Sequence, residues 1–357
     1  MKLAINVDES QAQIFPVIII LKTQLWTLLF IILMLGAIYI DSYTTKLIFS
    51  RTLKNIVSFS SPGNMTELTP ANIDLFESGW LSDGFVVFKR GTKSHVLINV
   101  SKNTQYALDD RETSALEKLL SFDKLDQTDL AVLSDINEKY NCIEMNRPAR
   151  IDMAFVRELK RLSKKYEKKI AKEIPEPESK ALFKLAFEVM GYRKLLSELF
   201  GQAYILPPYN VFRARKIYEK VGIGHILLVG DDDFLSILLA KLGMNVAVID
   251  VDPYVLRLIK FLAQKYQLEN RITLYYHDIR MPFIMHTQFS AIHMDPGYSL
   301  DGLILFLSRG IQLLRSWGYL FVSWNSKGAN EVYIKKALQL HNIDMLEQFN
   351  TKMKYLI

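Results

Sequence analysis

The chain has 357 residues, half of them apolar, and a net charge of +6. This length and apolar content suffice for two or three packed domains and argue against disorder over most of the chain. The single cysteine, Cys142, excludes an internal disulfide and a cysteine-rich zinc site, and the six histidines lack the paired spacing of metal ligands.

Residues 1–54 contain a long apolar stretch that predicts a transmembrane helix. Residues 23–40 are 18 residues without a charge, and as a helix they would be about 27 Å long, close to the thickness of a bilayer's hydrocarbon core. Trp26 and Tyr39 lie near the two ends, where aromatic belts form. We expect one membrane span over about residues 15–40, with a buried helix as the alternative. The basic residues that follow place the rest of this single-pass protein in the cytoplasm: Lys46, Arg51 and Lys54.

Residues 55–145 are predicted to form a small α+β module. Two apolar runs flank residues 89–92, which have a hairpin signature, and Asp109 or Asp110 begins a helix. This order is similar to a winged-helix domain. It is also similar to the recognition domain of ribosomal-peptide modification systems, in which a leader peptide adds a strand to the sheet edge. A structural or dimerisation domain is the third interpretation. We therefore expect a peptide or protein partner for this module, or a homodimer.

Residues 146–200 are predicted to be a helical, basic linker region. Apolar residues step by three and four from Ile151 to Ile170, and the other face is rich in lysine and arginine. A solvated face is the simplest interpretation, and attraction to an anionic membrane surface is the second. Aromatic residues are sparse among the basic ones, so no nucleic-acid partner is expected.

Residues 201–357 are predicted to form an α/β domain with a Rossmann-like, doubly wound sheet of the methyltransferase type. An apolar run, residues 226–229, precedes Gly230, and another, residues 234–240, follows the turn. That is the order strand, tight turn, helix. Further strands end before Asp250, Asp278 and Asp295. The carboxyl ends of parallel strands meet at one edge of the sheet, where ligands bind.

The acidic residues at these strand ends predict a site for a cation. Asp231, Asp232 and Asp233 follow Gly230, and Asp250 has the spacing of a ribose-binding residue. One of the three turn aspartates is expected only to cap the next helix. The whole set, without counter-charge, would repel, and a cationic ligand would relieve that repulsion.

Residues from about 202 to 324 resemble the branched-chain polyamine synthases, also called bis(aminopropyl)spermidine synthases. The resemblance rests on residues 201–204, 228–233, 249–252, 277–282, 295–302 and 305–310, of which the Gly-Asp-Asp-Asp turn and the last two are the most specific. It implies a Rossmann-like catalytic domain that moves an aminopropyl group from decarboxylated S-adenosylmethionine to spermidine or another amine, giving branched products. This sequence departs from the family at Gly297, where a second proline is usual, and in its predicted membrane span.

The resemblance also implies roles for individual residues. Amine binding and activation fall to Asp231, Asp232 and Asp233, with Asp232 favoured. Asp295 and Tyr298 would line the acceptor side. The donor would be held by the remaining positions: Gly230 and Asp252, Asp250 at the ribose, Asp278 at the adenine amine, and Gln202 at the donor or acceptor tail. No metal is needed.

Two alternatives stay open. Residues 295–298 are similar to the Asp-Pro-Pro-Tyr signature of amino-methylating enzymes, so a methyltransferase that uses ordinary S-adenosylmethionine is the second hypothesis. A non-catalytic scaffold that keeps the fold is the third. The first is favoured because three aspartates would repel the carboxylate that only the ordinary donor carries.

Overall fold

The structure is a computed structural model of the chain. It describes residues 14–21, 66–67, 79–90, 94–100, 102, 104–121, 123–145, 149–171, 178–197, 200–281, 285, 287–296, 300–325, 338, 343–348 and 355–356. In chain order its elements are β1 (Ile14–Leu21), β2 (Thr66–Glu67), β3 (Gly79–Leu81), β4 (Phe85–Arg90), β5 (Ser94–Asn99), β6 (Thr104–Leu108), α1 (Asp110–Leu120), α2 (Gln127–Tyr140), β7 (Ile143–Met145), α3 (Met153–Ile170), α4 (Glu178–Met190), β8 (Leu195–Ser197), β9 (Tyr204–Ile205), α5 (Pro207–Val221), β10 (His225–Val229), α6 (Leu235–Lys241), β11 (Asn245–Asp250), α7 (Pro253–Lys265), β12 (Ile272–Tyr276), β13 (Phe289–Met294), α8 (Leu300–Leu313), β14 (Leu314–Asn325), β15 (Ile343–Gln348) and β16 (Tyr355–Leu356).

The C-terminal part is built on a sheet with the order β15-β1-β14-β13-β10-β11-β12-β2. Its five central strands, β14 to β12 in that order, are parallel. β10 is buried along nearly its whole length, as parallel strands covered on both faces are. β11 lies on one side of β10 and β13 on the other, so the switch point of the topology falls between β10 and β13. The predicted Rossmann-like α/β fold is confirmed.

Helices cover both faces of this sheet. Side chains of α5, α6 and α7 pack on one face, with Leu228, Ala291 and Phe321 of the strands. Leu303 and Leu307 of α8 pack on the other face. Asp252 caps α7, and Pro253 occupies its first turn. This packing fixes the strand ends at the edge that carries the aspartates.

The first part of the predicted membrane helix is a β-strand. β1 lies between β14 and β15 and is antiparallel to both. Its sequence, IFPVIIIL, is rich in β-branched residues and contains a proline near its start, both of which favour a strand over a helix interior. The prediction of a helix over about residues 15–40 is therefore wrong for residues 15–21, and residues 22–40 lie outside the described residues. Among the described helices, none has the length and apolar character of a membrane span.

The predicted hairpin of the 55–145 module is confirmed. β4 and β5 are antiparallel, with Lys89 opposite His95, and the four-stranded sheet has the order β6-β5-β4-β8. α1 has a capping box formed by Asp109 and Glu112, and α2 has one formed by Asp126 and Asp129. The winged-helix and peptide-recognition identities of the module stay predictions.

The region of residues 146–200 is helical only in part. α3 matches the predicted apolar stripe, but α4 ends at Met190. β8 follows and runs parallel to β4, so this stretch completes the sheet of the preceding module. A strand of three residues has too little periodicity to be predicted from its sequence.

Candidate active site

Gly230 begins the acidic turn at the end of β10. Its φ of +78° lies in the left-handed region, which glycine adopts without strain. Its N–H donates to the carbonyl of Ile249 at 2.8 Å, which ties the turn to the end of β11. The three aspartates that follow therefore leave the sheet at its carboxyl edge, beside Asp250.

Asp231 caps the next helix. Its carboxylate oxygens accept a hydrogen bond from the backbone N–H of Ser236, at 3.3 and 3.2 Å. The residue is 4% exposed, and burial raises the pKa of Asp231 well above its ordinary value. Asp231 is thus the turn aspartate with the structural role, and it lacks an exposed surface for a substrate amine.

Asp250 and Asp252 form a buried network with Gln202. Asp250 accepts the backbone N–H groups of Asp231 and Asp252, at 3.1 and 2.9 Å, and burial raises its pKa to about 7. Asp252 caps α7 through the N–H of Tyr254 and accepts the amide of Gln202 at 2.6 Å. The Gln202 carbonyl oxygen in turn accepts the N–H of Ser197. The structure therefore brings together Gln202, Asp250 and Asp252, which were predicted to bind the donor. Their hydrogen bonds fix the carboxyl edge of the sheet.

Asp232 is the most exposed of the turn aspartates, with 28% of its side chain accessible. One carboxylate oxygen, Oδ2, accepts a hydrogen bond from Arg193 Nη2 at 2.9 Å. Arg193 is fully buried and also donates to the carbonyl of Ala203 at 3.0 Å. Within the described part of the chain, Oδ1 of Asp232 accepts no hydrogen bond, so it is available to a ligand.

Asp233 and Asp295 share a second buried arginine. Arg213 Nη2 lies 2.5 Å from Asp233 Oδ2, and its Nη1 lies 3.1 Å from Asp295 Oδ2. Burial raises the pKa of Asp233 to about 6 and that of Asp295 to about 7, and the charge of Arg213 opposes both shifts. Asp295 keeps 26% of its side chain exposed. The ends of β10 and β13 therefore present one partly exposed carboxylate each, Asp232 and Asp295.

The expectation that the carboxylates stand without counter-charge is wrong. Arg193 and Arg213 together contact Asp232, Asp233 and Asp295. When all three are ionised, these carboxylates exceed the two arginines by one charge, and no ion pair to Asp231 or Asp250 occurs among the described residues. The sequence signal for Arg213 is its position directly after residues 207–212, which are largely apolar. Arg193, between α4 and β8, has no comparable signal.

Asp278 belongs to a separate pair. The guanidinium of Arg280 contacts both of its carboxylate oxygens, the closest at 2.5 Å. Burial raises the pKa of Asp278, but the hydrogen bonds of Arg280 outweigh it, so the net shift is downward. His277 links this segment to the site, because its N–H donates to the carbonyl of Asp250 at 3.0 Å. Tyr298 lies outside the described residues.

The sheet order is that of a methyltransferase-like α/β domain. Residues 184–353 match the family model of the branched-chain polyamine synthase A C-terminal domain. Residues 184–353 are therefore similar to that family, which confirms the resemblance found in the motifs and supports a transferase.

One curated protein is similar to part of this chain. An uncharacterized protein of Methanocaldococcus jannaschii is 35% identical over 153 residues, which are 41% of this chain and 39% of that protein. The chain thus matches about two fifths of the length of this relative.

Among solved structures, the branched-chain polyamine synthase from Thermus thermophilus, in complex with N4-aminopropylspermidine and 5'-methylthioadenosine, is 18% identical; the match covers 64% of this chain and 71% of that one, with a TM-score of 0.38. A glycopeptide N-methyltransferase in complex with S-adenosyl-L-methionine is 16% identical over 32% of this chain and 53% of that one, with a TM-score of 0.28.

Proposed function

We propose that the domain transfers an aminopropyl group from decarboxylated S-adenosylmethionine to a polyamine such as spermidine, or to another amine. The observation that carries the proposal is the surplus of carboxylates over arginines at the carboxyl edge of the sheet. Among the residues that the structure describes, Asp232, Asp233 and Asp295 have Arg193 and Arg213 as counter-charges. The edge therefore favours a cationic donor and a cationic acceptor.

The chemistry requires a neutral amine in a site that attracts ammonium groups. A free amine titrates near ~10, so it must lose a proton before its lone pair attacks the carbon next to the sulfonium. The new carbon–nitrogen bond forms as the carbon–sulfur bond breaks, and its electron pair returns to sulfur, leaving neutral 5'-methylthioadenosine. A carboxylate beside the amine orients it and accepts its proton.

The geometry supports different roles for the individual acidic residues. Asp232 and Asp295 keep exposed oxygen atoms and would face the amine. Asp231 caps α6, and Asp250 holds the turn while its oxygens can still accept ribose hydroxyl groups. Asp278 at the adenine and Tyr298 on the acceptor side remain proposals from the family resemblance.

The second candidate is a methyltransferase that uses ordinary S-adenosylmethionine. The observation in its favour is the presence of Arg193 next to the turn, since a guanidinium can bind a carboxylate in a bidentate manner. Arg193 is already engaged with Asp232, which ranks this candidate second.

Calorimetry of the full chain with the two donors tests the proposal. We expect the decarboxylated donor to bind at least tenfold more tightly, about 1.4 kcal/mol, because it lacks the carboxylate that Asp232 would repel. Tighter binding of the carboxylated donor would contradict the proposal and favour methyl transfer. Mass spectrometry of products from a panel of amines would then identify the acceptor amine and the number of aminopropyl groups transferred.

A further inference from the structure

Arg213 links the two strands that flank the switch point. It projects from α5 and is nearly fully buried, with 3% of its side chain exposed. One guanidinium nitrogen contacts Asp233 after β10, and the other contacts Asp295 after β13. Asn210, one turn earlier on α5, accepts a hydrogen bond from Arg213 and donates one to the carbonyl of Asp233 at 2.6 Å. Asn210 therefore fixes the contact between Arg213 and Asp233.

The two carboxylates would change state without this cation. Each of the two carboxylates disfavours the ionisation of the other, and Asp233 is buried while Asp295 is only partly exposed. Burial already raises the pKa of Asp233 to about 6 and that of Asp295 to about 7 while Arg213 is present. Removal of the guanidinium would raise the pKa of both carboxyl groups further and so favour their protonated forms.

Other charged groups face this pair but cannot replace Arg213. Arg193 Nη1 lies 4.0 Å from Asp233 Oδ1 and makes its closer contact with Asp232. Asp232 adds a negative charge to both carboxylates. His293, two residues before Asp295 on β13, is buried, and burial lowers its pKa well below its ordinary value, so it is neutral. The ionisation of the pair therefore depends on Arg213.

We propose that Arg213 is a positioning and specificity residue, which keeps Asp233 and Asp295 ionised and correctly placed so that the site selects protonated amines. This inference rests on the proposed function for its ligand. A second observation points to a ligand at the same place: Oδ1 of Asp233 is buried and accepts no hydrogen bond within the described part of the chain. Arg213 occupies Oδ2 instead, and Arg193 Nη1 lies 4.0 Å from Oδ1.

The first experiment needs no ligand. Carboxyl carbons of labelled aspartates are titrated by NMR in the full chain, with Asp233→Asn and Asp295→Asn to assign the signals. Arg213→Gln should raise both titration midpoints by at least one pH unit. Arg213→Lys keeps the positive charge but loses the planar guanidinium that contacts both carboxylates. It should therefore raise both titration midpoints by less than Arg213→Gln does. Arg215→Gln, which removes the same charge from the same helix, is the matched control and should leave both midpoints in place.

Unchanged midpoints in both Arg213 variants would overturn the inference. Arg213→Lys retains a buried cation, so it decides the question if Arg213→Gln does not fold.

The second experiment uses spermidine as the probe and measures its dissociation constant from pH 6 to pH 9. In Arg213→Gln, binding at pH 7 should weaken at least tenfold and recover toward pH 9, where the carboxylates ionise again while spermidine stays charged. Binding of 5'-methylthioadenosine should not change. A loss that is equal at every pH would show a merely structural role and overturn the inference. If the wild type fails to bind spermidine but the midpoints shift as stated, the proposed function fails and the electrostatic role of Arg213 remains.

Discussion

Three consecutive aspartates have three different environments in this turn. Asp231 faces the amino end of α6 and is buried, Asp233 faces Arg213, and Asp232 alone keeps a substantial exposed surface. Because chemistry on a bound amine needs contact with it, the favoured residue of the turn is Asp232. Residue type and spacing were identical for all three, so only their surroundings distinguish them.

Asp232→Asn tests this assignment. The change removes the charge and keeps the shape, and we expect the rate of aminopropyl transfer to fall by roughly 10²–10⁴-fold, the usual contribution of a group that accepts a proton in the reaction. Initial rates with the decarboxylated donor and spermidine measure the effect. Asp123→Asn is the matched control, because Asp123 also pairs with an arginine, Arg257, away from the acidic edge. Equal rates in wild type and Asp232→Asn would contradict the assignment of Asp232 as the residue that accepts the proton.

The acidic set could be predicted at this scale, but its neutralisation could not. Each aspartate follows an apolar run, and parallel strands bring such positions to one edge. Arg193 precedes Asp232 by 39 residues and Arg213 precedes Asp295 by 82. Contacts at such separations depend on how α4, α5 and the sheet pack, and this packing cannot be predicted from a single sequence.

At the scale of elements, residues 191–197 connect the small module to the acidic edge. Arg193 reaches Asp232, while the next residue, Lys194, points into the module and contacts Asp152 and the carbonyls of Ser82 and Phe85. Asp152 also accepts the N–H of Gly84 at 2.7 Å. β8 then pairs with β4. Residues 191–197 therefore make contacts that position both the small module and the acidic edge.

Lys194→Ala should destabilise the protein strongly. Both partners of the Lys194–Asp152 pair are buried, with 1% and 0% of their side chains exposed. Loss of the lysine leaves an unpaired buried carboxylate, which costs about 3–5 kcal/mol. The free energy of unfolding in urea measures the cost. Arg161→Ala removes an exposed partner of Glu158 and should cost less than about 1 kcal/mol. A cost for Lys194→Ala no larger than for Arg161→Ala would contradict the expectation.

The elements differ in how well they could be predicted. Residues 226–229 form a continuous apolar run between turn residues, and β10 is found there as His225–Val229. Residues 14–21 form a similar run, but hydropathy alone does not distinguish a strand within a sheet from part of an apolar helix. Residues 14–21 form a strand because they pair with β14 and β15, which are more than 290 residues away in the sequence.

For the whole molecule, the acidic edge makes folding stability depend on pH. Burial raises the pKa of Asp233 to about 6 and those of Asp250 and Asp295 to about 7, against about 3.9 in an unfolded chain. The folded state therefore binds more protons than the unfolded state between these values. Its stability falls as the pH rises through this window.

The midpoint of thermal unfolding should therefore fall from pH 5 to pH 7 and level off above it. Asp295→Asn removes one titrating group and should reduce the slope. Asp278→Asn should not, because the pKa of Asp278 is shifted downward and its titration lies below this range. A midpoint that rises from pH 5 to pH 7 in the wild type would contradict this account. A bound polyamine should raise the midpoint most near pH 8, where the carboxylates are ionised.

The position of β1 has a consequence for synthesis of the chain. Ile14 pairs with Asn325, and Leu21 pairs with Ile343. β1 leaves the ribosome long before β14 and β15 are synthesised. Strand pairing between residues so far apart in the sequence is slow. During translation the backbone groups of β1 have no partner in the sheet, so this segment must be shielded by a chaperone or by transient contacts. A nascent chain halted before residue 314 would expose an apolar, aggregation-prone strand.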